Sequence, residues 1–355
     1  MLKHGSMYEV AIIGGGPAGA TCAALCSAAG KKVLLLERSV FPREKVCGDC
    51  LNPLAWGVLE QLGLRERVLA CVHTQLTGVR FTGIAGETVR IPLPQNEFPE
   101  LGLTRGRLDQ LLLERARETG AEVHENCALT GVRFLGQKWQ LRCESGDFEA
   151  RELVAADGRN STTLRLLGRM PPPVPDERVA VQTHFPCPPG LESEVGMRFV
   201  IQGYVGIAPV GGGMANLCLV SRPRDLQAIK RWALAEFGLP EGQTWRSIAP
   251  LRRSAVSPVS ERLWLVGDTA TVVEPFTGEG IAYALRTGAL CAGALLADDP
   301  SAYLRDHATL YRGRLWVNHL ARWACLHPEA GSRLVKIGKW FPAIFSALTS
   351  KVVAR

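Results

Sequence analysis

The sequence predicts an α/β protein in which a Rossmann-like domain is interrupted by an inserted antiparallel β-sheet domain and followed by a C-terminal helical segment. Three observations support this prediction. Near the start of the chain, an apolar strand runs through a glycine turn into a helix of small residues, as in a βαβ unit. Two later apolar strands end in Asp157-Gly158 and Gly267-Asp268. The segments between them alternate polar and apolar residues with many turn residues, which is typical of antiparallel strands.

The composition is that of an ordinary globular protein. The 355 residues allow two or three domains, and 46% of them are hydrophobic and 21% charged. The 11 cysteines are too few for a disulfide scaffold at this length, so reduced thiols and a cytoplasmic protein are expected. The second methionine, Met7, suggests that residues 1–6 are a leader, and no apolar run reaches the length of a membrane span.

The glycine turn has the pattern G-x-G-x-x-G, formed by Gly14, Gly16 and Gly19. The first glycine permits the sharp turn, the second lets the backbone approach a pyrophosphate, and the third lets the helix pack on the sheet. The helix N-terminus at Pro17 and Ala18 attracts phosphate charge. These features predict a dinucleotide site.

The second strand, Val33 to Leu36, is followed by Glu37 and Arg38. An acid at the end of this strand can accept hydrogen bonds from the hydroxyls of an adenosine ribose. Because strand, turn, helix, second strand and acid occur in this order, the glycine pattern is far more specific here than it would be alone.

Two aspartates and a second glycine loop indicate which dinucleotide is bound. Asp157 and Asp268 each follow a strand, where a carboxylate can bind a ribitol hydroxyl of FAD. The loop from Gly278 to Ile281 leads into a helix and offers backbone N–H groups and a helix dipole to the anionic edge of a flavin. Capping of a neighbouring helix is the alternative role for both aspartates.

These motifs resemble FAD-dependent oxidoreductases of the p-hydroxybenzoate hydroxylase fold, most closely their geranylgeranyl reductase-like branch, which also holds the flavin halogenases. The resemblance covers most of residues 7 to 300 and implies that Arg105 contacts the pyrophosphate or flavin and that the backbone of Leu129 meets the adenine. A solvent-facing side chain is the alternative for Arg43. The FAD contacts implied in full are Gly14, Gly16, Pro17, Ala18, Gly19, Glu37, Arg38, Arg43, Arg105, Leu129, Asp157, Gly267, Asp268, Gly278, Gly280 and Ile281.

The sequence has no second nucleotide-binding glycine pattern after a strand. The glycine run at Gly211 follows a Pro-Val pair and does not open a helix. A separate nicotinamide domain is therefore not expected, so NAD(P)H or another reductant must bind transiently if it reduces the flavin. No nucleic-acid partner and no metal site are predicted.

The segment EKVCGDCLNP holds Cys47 and Cys50. A zinc site would need about four nitrogen or sulfur ligands, and the sequence has no second C-x-x-C. A redox disulfide is an alternative, although the chain lacks the further domains of disulfide reductases. The segment resembles the Lys-x-Cys-Gly-x-x-Leu-x-Pro signature of the reductase-like branch. That resemblance implies that Cys47 lies over the flavin as proton donor or pocket wall, which makes it the candidate catalytic residue.

The predicted domains are discontinuous in sequence. The FAD-binding domain takes residues 7–70, 100–170 and 254–300, and the substrate domain takes the two intervening segments, 71–99 and 171–253. The remaining residues, from 301 to the end, are predicted to form the C-terminal helices.

The segment GYVGIAP resembles the Gly-Tyr-x-Trp-x-Phe-Pro substrate motif of geranylgeranyl reductases, with Gly206 and Ala208 in place of Trp and Phe. The resemblance implies substrate contacts at Tyr204, Gly206 and Pro209, and at Pro275 beside the flavin loop. Both replacements remove bulk, so we expect a wider or differently shaped pocket. The Trp-x-Trp-x-Ile-Pro motif of halogenases is absent, which disfavours halogenation.

The predicted function is that of an FAD-dependent oxidoreductase acting on a lipophilic or polyketide-like small molecule. The preferred chemistry is hydride transfer through the flavin, with reduction or desaturation of a carbon–carbon bond. A single-component flavin monooxygenase is the alternative enzyme, and a non-catalytic flavin-binding interaction protein is the alternative of another class.

The C-terminal tail carries the excess charge of the chain. From Tyr311 to Arg355 it has eight basic residues and one acid, which equals the formal net charge of +7 of the whole sequence. Tryptophan and phenylalanine residues lie among them. The tail is therefore either a set of packed helices with a solvated basic face or a peripheral contact with a membrane or a lipid-carrying partner.

Overall fold

The computed structural model describes residues 7–174, 177–312 and 315–340. Its strands are β1 (Tyr8–Ile13), β2 (Val33–Leu36), β3 (Cys50–Leu51), β4 (Thr74–Gln75), β5 (Gly78–Thr82), β6 (Thr88–Pro92), β7 (Leu101–Gly102), β8 (Glu122–His124), β9 (Leu129–Phe134), β10 (Trp139–Cys143), β11 (Gly146–Ala155), β12 (Val179–Pro186), β13 (Glu194–Val200), β14 (Gly203–Gly211), β15 (Met214–Ser221), β16 (Arg246–Ile248), β17 (Val259–Ser260) and β18 (Leu263–Leu265). Its α-helices are α1 (Pro17–Ala28), α2 (Trp56–Gln61), α3 (Arg65–Leu69), α4 (Arg105–Glu118), α5 (Thr162–Leu166), α6 (Leu226–Glu236), α7 (Gly280–Ala297), α8 (Pro300–Tyr311), α9 (Leu315–Leu326) and α10 (Pro328–Trp340).

The first sheet has the strand order β17-β18-β11-β1-β2-β8, and β9 and β10 extend it through β11. Its central strands β18, β11, β1, β2 and β8 pair in parallel. Parallel strands covered on both faces read as continuous apolar runs, which is why the fully buried segment from Val10 to Ile13 could be recognised in the sequence. The carboxyl ends of β1, β11 and β18 lie side by side and lead into the predicted motifs.

The second sheet has the order β16-β12-β15-β14-β13-β5-β6. Every pair in it is antiparallel except β13 with β5. All of its strands come from the two segments 78–92 and 179–248. A Rossmann-like sheet, a separate mostly antiparallel sheet and C-terminal helices are therefore all present, and the predicted fold class is confirmed.

Helix α7 packs against α1 and α8 beside the first sheet. By length and composition it is apolar enough to cross a membrane, but half of its residues are buried inside the protein. It contains Arg286 and Thr287, so it is not an unbroken apolar run, and the sequence prediction of no membrane-spanning helix is not contradicted. It is a helix of the domain core, and its apolar character is explained by its contact with α1.

The described C-terminal helices lie on the second sheet. Gly331 of α10 approaches the ring of Phe199 so closely that a Cβ atom there would lie 2.6 Å from it. The hydroxyl of Ser332 accepts a hydrogen bond of 2.9 Å from the backbone N–H of Ile84. Helices α9 and α10 therefore form a packed roof over the second sheet, and contact of the tail with a membrane or a lipid-carrying partner stays a prediction.

Candidate functional site: a cavity between the two sheets

A single continuous cavity lies where the first sheet, the second sheet and the C-terminal helices meet. One end is lined by the glycine turn, the Gly267-Asp268 turn and the loop before α7. The other end is lined by side chains of the second sheet and of α9 and α10. A cofactor groove and an apolar chamber are thus joined in one space.

The glycine turn is built for close approach. Gly14 has φ +105°, and a Cβ atom there would lie 2.6 Å from the carbonyl oxygen of Ala156. A Cβ atom at Gly19 would lie 2.0 Å from the carbonyl oxygen of Gly14. Helix α1 therefore begins directly on the turn, with Gly16 as its N-cap and its first N–H groups facing the cavity.

Glu37 is buried at the end of β2. One of its carboxylate oxygens accepts a hydrogen bond of 2.8 Å from the N–H of Gly15, and the other accepts one of 2.9 Å from the N–H of Ser39. These bonds fix the carboxylate beside the glycine turn, and each oxygen keeps capacity for a further hydroxyl donor.

Two further residues lie at the end of the site where the adenine of FAD is predicted to bind. Leu129 opens β9, two residues after Cys127, whose N–H donates to the carbonyl of Glu37 over 2.9 Å. Arg38 is exposed next to Glu37. Their position at this end agrees with the site drawn from the resemblance, and their contacts with the nucleotide stay a prediction.

Three cations gather beside the glycine turn. Arg105 is buried and forms a bidentate pair with Asp109, with distances of 2.8 and 2.7 Å. Arg43 lies 3.1 Å from the same carboxylate without hydrogen-bond geometry, so its buried Nη1 has no hydrogen-bond partner in the part of the chain that the structure describes. Burial and the neighbouring Arg105 lower the pKa of Lys45 to about 8. Arg43 also lies 3.9 Å from the carboxylate of Glu37. Three cations beside the two carboxylates of Asp109 and Glu37 suit a pyrophosphate.

Asp268 lines the cavity in the turn after β18. Its carboxylate accepts hydrogen bonds of 3.0 and 3.3 Å from the guanidinium of Arg159. Burial raises the pKa of Asp268, but Arg159 and Lys45 outweigh burial and hold it below its usual value. The ionised carboxylate keeps acceptor capacity toward the cavity. Arg159 was missed in the sequence, although it directly follows the Asp-Gly pair.

The carboxylate of Asp157 is directed away from the cavity. It accepts hydrogen bonds from the hydroxyl of Ser161 (2.6 Å) and from the N–H and hydroxyl of Thr163 (2.8 and 3.0 Å). It therefore caps the start of α5, the alternative left open in the sequence, because a short helix follows the strand. The backbone at Asp157 still lies against Gly14.

Cys47 and Cys50 are free thiols, and both line the cavity. The carbonyl of Cys47 accepts a hydrogen bond of 2.7 Å from Asn216 on β15, which ties the segment to the second sheet. Burial raises the pKa of the Cys47 thiol, although Arg105 lowers it. The Cβ atom of Cys50 lies 3.9 Å from the Cβ position of Gly278 in the loop before α7. Among the described residues no cluster suits a metal ion.

Behind this segment lies a buried network that the sequence did not reveal. Asp49, with φ +56°, accepts a hydrogen bond of 2.8 Å from His184 of β12. Its second carboxylate oxygen accepts a bond of 3.3 Å from the N–H of Arg105. The hydrogen bond to Asp49 raises the pKa of His184. This network joins the Cys47 segment, helix α4 and the second sheet into one rigid wall.

The predicted substrate residues separate into two groups. Tyr204, Gly206 and Pro275 line the cavity, and the ring of Tyr204 packs edge-on against Phe276 at 5.1 Å. Pro209 is not among the residues that line it, and its carbonyl lies against Gly102. Substrate contact at Pro209 stays a prediction.

These features fit an adenine dinucleotide and, through the loop after Asp268, the flavin of FAD. The glycine turn would face the pyrophosphate, the carboxylates of Glu37 and Asp268 would accept hydroxyl groups, and the N-terminus of α7 from Gly280 to Ile281 would face the flavin edge. The orphaned Nη1 of Arg43 is a donor that an anionic ligand would satisfy. The fold and site define a flavoprotein oxidoreductase.

Comparison with known proteins gives the family. Residues 7–181 match the family model described as FAD binding domain. The chain is 33% identical to a menaquinone reductase of Mycobacterium tuberculosis, over 82% of this chain and 77% of the relative. It is 25% identical to a digeranylgeranylglycerophospholipid reductase of Thermoplasma acidophilum, over 89% and 86% of the two chains.

Solved structures agree on the fold. A structure of PqsL from P. aeruginosa in complex with 2-aminobenzoylacetate superposes with a TM-score of 0.78 at 20% identity, covering 92% of this chain and 99% of that one. A flavin-dependent brominase has a TM-score of 0.77 at 21% identity, covering 98% and 94%. The chain belongs to the FAD-dependent oxidoreductases of the p-hydroxybenzoate hydroxylase fold, in the branch that holds the geranylgeranyl reductase-like enzymes. The non-catalytic alternative is not supported by these relatives.

We expect Cys47→Ala to lower turnover more than Cys50→Ala. The thiol of Cys47 interacts with the deeply buried guanidinium of Arg105, so its removal changes the wall beside the predicted flavin site. Steady-state rates of both variants, with FAD content matched, test this. Equal loss in both variants, together with two fewer thiols in the oxidised wild type, would instead indicate a working disulfide.

Proposed function

We propose that this protein is an FAD-dependent reductase that adds hydrogen across a carbon–carbon double bond of a lipophilic, polyprenyl-type compound. The observation that carries the proposal is the apolar chamber next to the cofactor groove. Its walls come from the second sheet and from the roof helices, and include Phe81, Met197, Phe199, Tyr204, Val220, Leu251, Phe276, Ala324, Leu334 and Val335.

The relatives support this choice of substrate class. A menaquinone and a digeranylgeranyl lipid are both compounds with long unsaturated isoprenoid chains, and the names of both relatives denote reduction. Gly206 lines the chamber without a side chain, and a Cβ atom at this position would contact the sulfur of Met197 at 3.5 Å.

The residues of the proposed site have separate roles toward the cofactor and the substrate. FAD, when bound, supplies the hydride chemistry. The glycine turn and the cations around Arg105 hold its phosphates, Asp268 orients its ribitol, and the apolar walls exclude water from the substrate. A reductant of the NAD(P)H type binds transiently, since the described residues contain one Rossmann-like sheet.

Anaerobic turnover of a menaquinone with an unsaturated prenyl chain tests the proposal. The expected product has gained two hydrogens and keeps them after exposure to air, because a saturated chain bond is not reoxidised whereas a quinol ring is. Mass spectrometry separates these products. A gain of two hydrogens that exposure to air reverses would contradict the proposal, and so would the absence of turnover. Turnover that needs oxygen and adds an oxygen atom to the substrate would indicate the monooxygenase alternative.

We further propose that the outer face of the roof docks on an anionic membrane. Helical spacing places Arg333, Lys336, Ile337 and Trp340 of α10 on one face, and all four are exposed. The opposite face is buried on the second sheet through Gly331 and lines the chamber. Basic residues beside exposed apolar ones suit a surface of anionic headgroups. Five residues of the predicted basic and aromatic tail lie outside the described residues: Arg314, Phe341, Phe345, Lys351 and Arg355.

Lys339 of α10 is also exposed, beside Lys336. Replacing the three exposed basic residues Arg333, Lys336 and Lys339 with Gln is expected to weaken binding to anionic vesicles roughly a hundredfold, since each basic residue contributes about 1 kcal/mol. Co-sedimentation at low salt measures this. A matched triple variant at Arg133, Arg142 and Arg151 on the exposed β9–β11 ribbon should bind like the wild type. If the wild type stays in the supernatant with anionic vesicles, the docking proposal is wrong.

A further inference from the structure

Glu100 is a buried carboxyl group that the cofactor site does not use. It directly precedes β7, lines the cavity, and is 8% exposed. Its carboxylate is near Cys50 of β3 and near Glu279, the residue that directly precedes α7. The acid therefore lies at the junction of the cofactor groove and the apolar chamber, where the substrate must meet the flavin.

The backbone around Glu100 is held firmly. Its carbonyl accepts a hydrogen bond of 2.8 Å from the N–H of Leu76, and the preceding carbonyl of Pro99 accepts one of 2.8 Å from the indole of Trp56. Strand β7 then pairs with both β3 and β4. A side chain on such a support is presented to the cavity in one place, as a reacting group requires.

The environment of the Glu100 carboxyl favours its neutral form. Its Oε2 atom is buried and has no hydrogen-bond partner among the described residues. An unpartnered buried carboxylate is costly, whereas a carboxylic acid carries no charge to desolvate. Burial, together with the nearby Glu279, raises the pKa of Glu100 to about 7.

We propose that Glu100 donates the proton that completes the reduction of the double bond in this cavity, an inference that rests on the proposed function. One carbon of the double bond accepts a hydride with its two electrons from the reduced cofactor, and the other accepts the proton of the Glu100 carboxyl group. The π bond breaks and two C–H bonds form. The carboxylate that remains regains a proton from solvent, and the transient reductant replaces the electrons.

Two other acidic groups of the cavity are weaker donors, because burial raises the pKa of the Cys47 thiol above its usual value and that of the Tyr204 hydroxyl well above 10. Lys45, whose pKa burial lowers to about 8, also lines the cavity, where it lies beside Arg105 and the glycine turn. Cys47 then serves as a wall of the site beside Arg105.

The test uses the FAD-loaded protein, reduced and mixed anaerobically with menaquinone in a stopped-flow instrument. In the wild type the rate of substrate reduction should be highest below about pH 7 and fall above it, because Glu100 must be protonated to donate. Glu100→Gln should slow this step about a hundredfold or more and remove its pH dependence. Glu97→Gln, an exposed acid of the same segment, is the matched control and should behave as wild type.

A second readout does not depend on turnover. Infrared difference spectra of the loaded protein should show a carboxylic acid band that disappears as pH rises through about 7 and is missing in Glu100→Gln. Absence of this band, or a Glu100→Gln variant with the wild-type rate and pH profile, would overturn the inference and leave the proposed reductase intact. A wild type that reduces no menaquinone would overturn both.

Discussion

Replacing Arg178 with Met is expected to lower the free energy of unfolding by about 3–5 kcal/mol, the usual cost of removing one partner of a buried ion pair. Arg178 is 2% exposed and forms a bidentate pair with Glu274, with distances of 2.9 and 2.8 Å. Its Nε atom also donates to Glu177 over 3.0 Å. The variant would leave the buried carboxylates of Glu177 and Glu274 without the positive charge of Arg178.

This cluster joins three parts of the site. Glu274 precedes the loop that leads to α7, Arg178 precedes β12, and Arg322 of α9 pairs with the second oxygen of Glu177. Loss of Arg178 should therefore loosen the roof as well as the loop. Because α9 is one of the helices that cover the chamber, we also expect weaker retention of substrate.

Urea unfolding of the FAD-free protein measures the change. Arg224→Met is the matched control, since Arg224 is exposed and its contact with Asp225 is 3.6 Å long. Surface changes of this kind stay within about 0.5 kcal/mol. An Arg178 variant as stable as this control would show that the cluster contributes nothing net to folding.

Asp268→Ala is expected to weaken FAD binding by about one to two decades. The variant removes a carboxylate acceptor for a ribitol hydroxyl, and a hydrogen bond to a charged group contributes roughly 1.5–3 kcal/mol. It also leaves Arg159 without its ion-pair partner at the edge of the cavity. Both effects act against the bound cofactor.

Fluorescence titration of the FAD-free protein with FAD gives the affinity. Asp306→Ala, at an exposed position of α8, should bind FAD like the wild type. Asp268→Asn keeps an acceptor oxygen and loses the charge, so its affinity for FAD should lie between those of the wild type and Asp268→Ala. Unchanged affinity in Asp268→Ala would exclude the predicted contact, and a protein that cannot be loaded with FAD at all would contradict the cofactor assignment.

Local motifs could be predicted because each one is complete within a short stretch. The turn at Gly14, Gly16 and Gly19 needs neighbours only a few residues away, since it is set by backbone freedom and by the start of α1. The same is true of the loop from Gly278 to Ile281. The sequence alone therefore predicted the α/β class, the FAD cofactor and the inserted sheet, whereas the contacts of individual residues with FAD stay predictions.

Residues whose role depends on distant partners could not be assigned in this way. Asp157 and Asp268 follow strands in the same manner, yet the first caps α5 and the second lines the cavity. Only the packing of α5 decides between them. Tyr204 and Gly206 of β14 likewise line the cavity, whereas Pro209, from the same sequence motif, does not.

The packing of the α9–α10 roof and the burial of Glu100 depend on the tertiary structure. Arg178 and Glu274 are 96 residues apart in sequence, and Asp49 and His184 are 135 apart. Nothing in the local pattern around Glu100 distinguishes it from a surface glutamate. Its burial results from the meeting of three strands, and the free energy of a charge depends on that enclosure and not on its sequence neighbours. The sequence by itself predicted FAD as the cofactor, while the tertiary structure decided which carboxyl groups line the cavity and, through burial and neighbouring charges, the direction in which their pKa values shift.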